Sequence, residues 1–125
     1  MNIPQHLKYS ASHEWVLVEG DLVVVGITDF AQKELGGLVF INLPNVDDEM
    51  VVDEAFADVE SVKAVSDIIA PVNGTIAQVN EALLDTPELI NQDAYAAWIV
   101  KAKDVSGLDD LLTADQYAEL ISKEG

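Results

Sequence analysis

The chain has no cysteine, so disulfides and zinc-thiolate sites are excluded, and any redox chemistry must come from something bound or attached. It has no arginine either: six lysines face 23 acidic residues, for a net charge of -17. That balance opposes binding to nucleic acid phosphates and to anionic lipid, and favours protein partners with basic docking surfaces. No apolar run approaches the roughly 20 residues that span a bilayer. The N-terminal stretch Met1 to Ser10 has neither the apolar core of a signal peptide nor the arginine-rich character of a transit peptide, so a soluble protein that is not exported is expected. Phosphate-binding loops of the G-x-G-x-x-G or G-x-x-x-x-G-K kind are missing, as is any nucleophile elbow. The two histidines, His6 and His13, have no cysteine beside them, and a lone imidazole is more often packed or exposed than metal-bound, so no metal site is expected. The acids from Asp47 to Glu54 lack calcium-loop spacing and read as a solvated face. No self-contained active site is visible.

What is present is valine and alternation. At 125 residues, half of them hydrophobic, the chain has the size of one domain, taken as 1–125. Glu14 to Val18 and Asp21 to Ile27 read as strands joined at Glu19-Gly20. Thr28 as N-cap and Gly36 as terminator predict a helix over Asp29 to Leu35. Leu38 to Leu43 is a strand ended by Pro44-Asn45, and an acidic loop follows at Asp47 to Glu49. Two strands flank Lys63; Pro71 and Asn73-Gly74 turn the chain into a strand over Thr75 to Val79. Asn80 to Asp93 reads as a loop with short turns, and Ala97 to Ala102 as a strand. From Asp104 to Gly125 the pattern is helical, with a capping box at Thr113 to Gln116 and Tyr117, Leu120 and Ile121 on one face. Many short strands, one early helix and a helical tail predict a β-rich sandwich or barrel.

The stretch Val59 to Ile76, V-E-S-V-K-A-V-S-D-I-I-A-P-V-N-G-T-I, alternates on both sides of Val62-Lys63 and so predicts a hairpin with Lys63 at its tip. The tip has none of the Asn-Gly or Asp-Gly pairs that stabilise short hairpins, which suggests that something other than turn stability selected its residues. Pattern alone leaves an ordinary surface lysine and a lysine presented for modification equally open.

This hairpin resembles the lipoyl-attachment hairpin of the glycine cleavage system H proteins. Leu7 to Val16 (L-K-Y-S-A-S-H-E-W-V), Val25 to Pro44, Pro87 to Asn91 (P-E-L-I-N) and the Trp98 strand resemble segments of the same family in the same order, covering about residues 7 to 121. The resemblance implies a mainly β barrel-sandwich hybrid, a short early helix and C-terminal helices. It also implies a carrier rather than an enzyme, with lipoate joined through an amide to Lys63. The implied partners are a pyridoxal-phosphate-dependent glycine decarboxylase, a tetrahydrofolate-dependent aminomethyltransferase, dihydrolipoamide dehydrogenase and a lipoylating enzyme. They would act on a monomer in a bacterial cytoplasm, or in a mitochondrial matrix for a processed chain. Ser12, Glu14 and Asp67 match positions that shelter the loaded arm in a cleft, with the two carboxylates facing its cationic amine. Glu60 and Ser61 would position the tip for lipoylation. Some positions depart from the family pattern: Phe30 replaces a frequent histidine, Ile69 a frequent tyrosine, and Ala94 to Trp98 is a shorter, stiffer link. Three alternatives remain: a biotin carrier, disfavoured because Val62 and Ala64 stand where methionines are usual, a lipoyl donor to other carriers, and an unmodified interaction module.

Overall fold

Alternating valines pair across the first hairpin, where β2 (Glu14–Glu19) and β3 (Leu22–Ile27) run antiparallel with Val16 opposite Val25. The computed structural model describes residues 2–124. Its strands form two antiparallel sheets. The larger runs β1 (Lys8–Tyr9), β2, β3, β9 (Val100–Ser106), β8 (Asn73–Val79) and β5 (Glu49–Met50); the smaller runs β4 (Leu38–Asn42), β6 (Ala55–Ser61) and β7 (Val65–Ile69). The apolar faces of both meet in one core, where Val25, Ile27, Ile76 and Ile99 lie with Ile41, Val59 and Ile68. The mainly β, barrel-sandwich architecture expected from the sequence is therefore present. No helix among the described residues is long and apolar enough to cross a membrane.

Helix α1 (Asp29–Leu35) lies where the capping signals put it. The Thr28 hydroxyl accepts the Ala31 N–H at 3.2 Å, and Gly36 ends the helix at φ 81°, a left-handed conformation that glycine adopts without penalty. Two short helices, α2 (Ala82–Asp85) and α3 (Leu89–Gln92), occupy the expected loop. The C-terminal helix α4 (Ala114–Glu124) opens with the reciprocal capping box, Thr113 N–H to the Gln116 side chain at 2.9 Å and Gln116 N–H to the Thr113 hydroxyl at 3.2 Å. It packs Tyr117 against Tyr9 with ring centroids 4.7 Å apart, forming a second cluster with Trp15 and Val24 on the outer side of the larger sheet. The helical pattern's last residue, Gly125, lies outside the described residues, as does Met1.

Several expectations fail for identifiable reasons. Asn73-Gly74 is not a turn but the start of β8, because a Cβ at Gly74 would stand 3.0 Å from the Lys103 carbonyl oxygen; the glycine permits a close approach of β9. The last strand runs from Val100 to Ser106 rather than over Ala97 to Ala102. Asp104 to Ser106 are thereby drawn from the expected helix into a strand that lies between β3 and β8, a case of tertiary pairing overriding helical spacing. Leu108 to Leu112 do not form an α-helix either. After a single 3₁₀ turn, Leu112 exchanges two backbone hydrogen bonds with Tyr9, of 2.9 and 2.7 Å. β1 and β5 are too short to register as alternation, and Glu49, expected in the acidic loop, belongs to β5.

Candidate functional site

Lys63 stands in the turn between β6 and β7, exposed, with Val62 and Val65 beside it. A turn without Asn-Gly needs another source of order, and Ser61 supplies it. Its hydroxyl accepts the N–H groups of Lys63 and Ala64, each at 3.1 Å, while its own N–H donates to the Ala64 carbonyl at 2.8 Å. The idea that turn stability had no part in selecting these residues is thus corrected: a side chain caps this turn. Glu60 is exposed on β6 opposite Val65, and neither it nor Ser61 reaches the cleft described next.

Beside the hairpin, where the two sheets and α1 come together, lies an open cleft of about 350 Å³. Ser12, Glu14 and Asp67 all line it. Its apolar wall is Ile27, Phe30, Ala31, Leu35, Val59 and Ile68. Glu14 comes from the larger sheet and Asp67 from the smaller, so only the folded sandwich brings the two acidic residues to one cleft.

Glu14 is 2% exposed, yet its carboxyl does not lie in a purely apolar setting. The hydroxyls of Ser10 and Ser12 donate to it, Ser10 at 2.7 Å, and the Ile69 amide also contributes. Burial dominates these donors and pushes its pKa up to about 7, so near neutrality the cleft contains a carboxyl that readily gains or loses its proton. An approaching cation would favour the ionised form, and loading the cleft with positive charge would release a proton.

Sequence reasoning did not pick out His13, Phe30, Glu34 and Glu124 as cleft residues, although each lines it. His13, at φ 78°, directs its ring toward α4: Nδ1 shares a hydrogen bond of 2.8 Å with the Tyr117 hydroxyl, and Nε2 lies 3.3 Å from Glu124. Tyr117 in turn bonds the Thr28 hydroxyl at 2.6 Å, and Phe30 packs on the imidazole with centroids 4.8 Å apart. Burial raises the Tyr117 pKa well above the ordinary phenol value, so the phenol stays a neutral link in this chain of bonds. The helix that ends the chain is thus tied to the cleft wall. Ser10, the second hydroxyl on Glu14, also escaped notice, since nothing in a loop serine announces its partner.

Comparison with known proteins gives a consistent result. Residues 7–124 match the family model described as glycine cleavage H-protein. The chain is 53% identical to the glycine cleavage system H protein of Staphylococcus carnosus, over 98% of this chain and 100% of that protein. It is 54% identical to the protein of the same name from Halalkalibacterium halodurans, over 98% of each. Among solved structures it is similar to the crystal structure of a glycine cleavage system H protein from Mycobacterium marinum, with a TM-score of 0.88 and 41% identity, over 96% of this chain and 99% of that one.

Proposed function

The chain belongs to the glycine cleavage H-protein family, a family of lipoyl carriers, and from that premise we propose that Lys63 is its attachment residue. The observation that carries this reading is the exposed lysine at an ordered β-turn beside a cleft lined by two acidic residues, Glu14 and Asp67. The residues fit an amide-linked lipoyl arm. The Lys63 stem runs toward α1, where its ammonium donates to the Glu34 carbonyl at 3.3 Å, and Glu34 also lines the cleft, so an arm extending from that nitrogen starts at the cleft's edge. Bound lipoate would supply the sulfur chemistry that this chain lacks, a dithiolane suited to carrying an aminomethyl group, and the partners such a carrier would serve are the glycine decarboxylase, the aminomethyltransferase and dihydrolipoamide dehydrogenase.

The chain's own contribution is holding and shielding. Ser61 fixes the tip, so the modifying enzyme meets Lys63 in one geometry. Glu14 and Asp67 face a cationic amine in the cleft, and the Ser10 and Ser12 hydroxyls keep the Glu14 carboxyl aimed there. Because Glu14 titrates near 7, the cleft holds such a cation more firmly above that pH and less firmly below it. The wall from Ile27 to Leu35 keeps water away from the attached group. Val62 and Val65, strongly exposed beside Lys63, and Val39 and Phe40 on β4, exposed on the same small sheet, offer apolar contacts to partner enzymes, while the surrounding net negative charge selects basic surfaces.

The test is reconstitution. The lipoylated chain, mixed with purified decarboxylase and glycine, should support release of carbon dioxide, and Glu14→Ala should speed loss of the loaded amine while leaving lipoylation unchanged. Transfer of lipoyl groups to other carrier domains without glycine-dependent carbon dioxide release would instead identify a lipoyl donor.

A further inference from the structure

The lysine turn leans on a neighbour outside its own hairpin. Val62, 74% exposed and so held by little packing, donates its N–H to the Gly37 carbonyl at 3.0 Å, and the Lys63 ammonium donates to the Glu34 carbonyl. The Lys63 stem crosses Gly36, where a Cβ would stand 3.2 Å from Lys63 Cε. The Gly37 acceptor and the gap that admits the stem thus belong to the connection from α1 to β4, and the Glu34 acceptor to the last turn of α1 that feeds it. Two consecutive glycines make that connection intrinsically loose.

Besides the Gly36 N–H bond to the Gln32 carbonyl at 3.0 Å, one side-chain amide ties it down. Asn91 on α3 donates through Nδ2 to the Gly36 carbonyl and to Gln32 Oε1, both at 2.9 Å, and its Oδ1 accepts the Leu38 N–H at 2.9 Å. Gln32 is itself fixed by donating to Asp29 at 2.7 Å. Asn91 therefore spans the glycine pair, gripping the last turn of α1 on one side and the first residue of β4 on the other. We propose that Asn91 is the positioning residue for Lys63: it touches neither the lysine nor the cleft, but fixes the seat on which the lysine turn rests. The functional half of this inference rests on Lys63 being the lipoylation site; the structural half does not.

Asn91→Asp keeps size and the acceptor for Leu38 but replaces both donors with a charge facing two oxygens. In the full-length chain, amide hydrogen exchange at Val62 should accelerate about tenfold, the factor implied by losing roughly one net hydrogen bond's worth of support, while Val59 and Ile41 in the adjoining strands exchange as before. With a purified lipoate ligase, the variant's KM should rise several-fold with kcat little changed. Asn91→Ser, which introduces no charge, should move both readouts the same way to a smaller extent. Unchanged Val62 exchange in either variant, or Val62, Val59 and Ile41 accelerating together, overturns the proposal, the latter because it marks Asn91 as general scaffolding. If the unaltered chain is never lipoylated at Lys63, it is the proposed function that fails, and the Val62 measurement still decides the role of Asn91.

Discussion

In the larger sheet, β3 buries every residue from Val23 to Ile27, whereas in the smaller one β6 buries only Val59 and β7 only Ile68. The two sheets share a core but divide the work. The larger one, backed by Tyr9, Trp15 and Tyr117 on its outer side, buries far more apolar surface, and most of the folding free energy derives from such burial. The smaller one spends its side chains outward, on Val39, Phe40, Val62 and Val65, and contributes Lys63. Stability and display are thus separated in space, and the cleft lies at their junction, taking Glu14 from one sheet and Asp67 from the other.

The sharpest way to break this division is at the tip. Lys63→Arg removes the acyl acceptor and should abolish lipoyl incorporation, while the free energy of unfolding in urea stays within about 0.5 kcal/mol of the unaltered chain. A large loss of stability there would show that the display sheet carries load. On the other side, Tyr117→Ala removes a ring stacked on Tyr9 and the hydroxyl that joins His13 to Thr28, and should cost on the order of 3 to 5 kcal/mol. The molecules still folded should accept lipoate at the usual rate; slowed modification of the folded fraction would mean that the two regions are coupled.

At the junction, Glu14→Gln gives a pH signature. The folded-state pKa of about 7 lies above the unfolded value of 4.5, so the unfolded chain releases its proton first as pH rises. The fold accordingly loses stability between about 4.5 and 7 and is not penalised further above that. The glutamine variant should therefore be more stable at pH 8, by up to about 3 kcal/mol, with the difference shrinking toward zero near pH 4. A difference independent of pH would contradict the account of Glu14 as a burial-shifted acid. The smallest effect is expected from Val62→Ser, near zero in urea unfolding but a several-fold higher KM with the ligase; an unchanged KM removes the tip valines from docking.

Local signals were legible wherever a residue's role is set by near neighbours. Thr28 and Gly36 bound α1, Thr113 and Gln116 cap α4, and the alternation around Lys63 predicts the hairpin. The sequence misled where a distant partner decides: Gly74 reads as a turn until β9 is laid against it, and Asp104 as helix until β8 and β3 pair around that strand. The cleft follows the same rule. Glu14 in a valine-rich strand was visible only through family resemblance, while His13 with Glu124, and Asn91 with Gly36, are pairs whose members lie 111 and 55 residues apart in the chain.

The central claim is that one amine at the β6–β7 turn is the attachment point of the carrier's arm. Incubation of the full-length chain with lipoate, ATP and a purified lipoate ligase, followed by intact-mass measurement and peptide mapping, tests it directly. The account predicts a single lipoyl increment, located on Lys63. No increment, or one on any of the other five lysines, would contradict it.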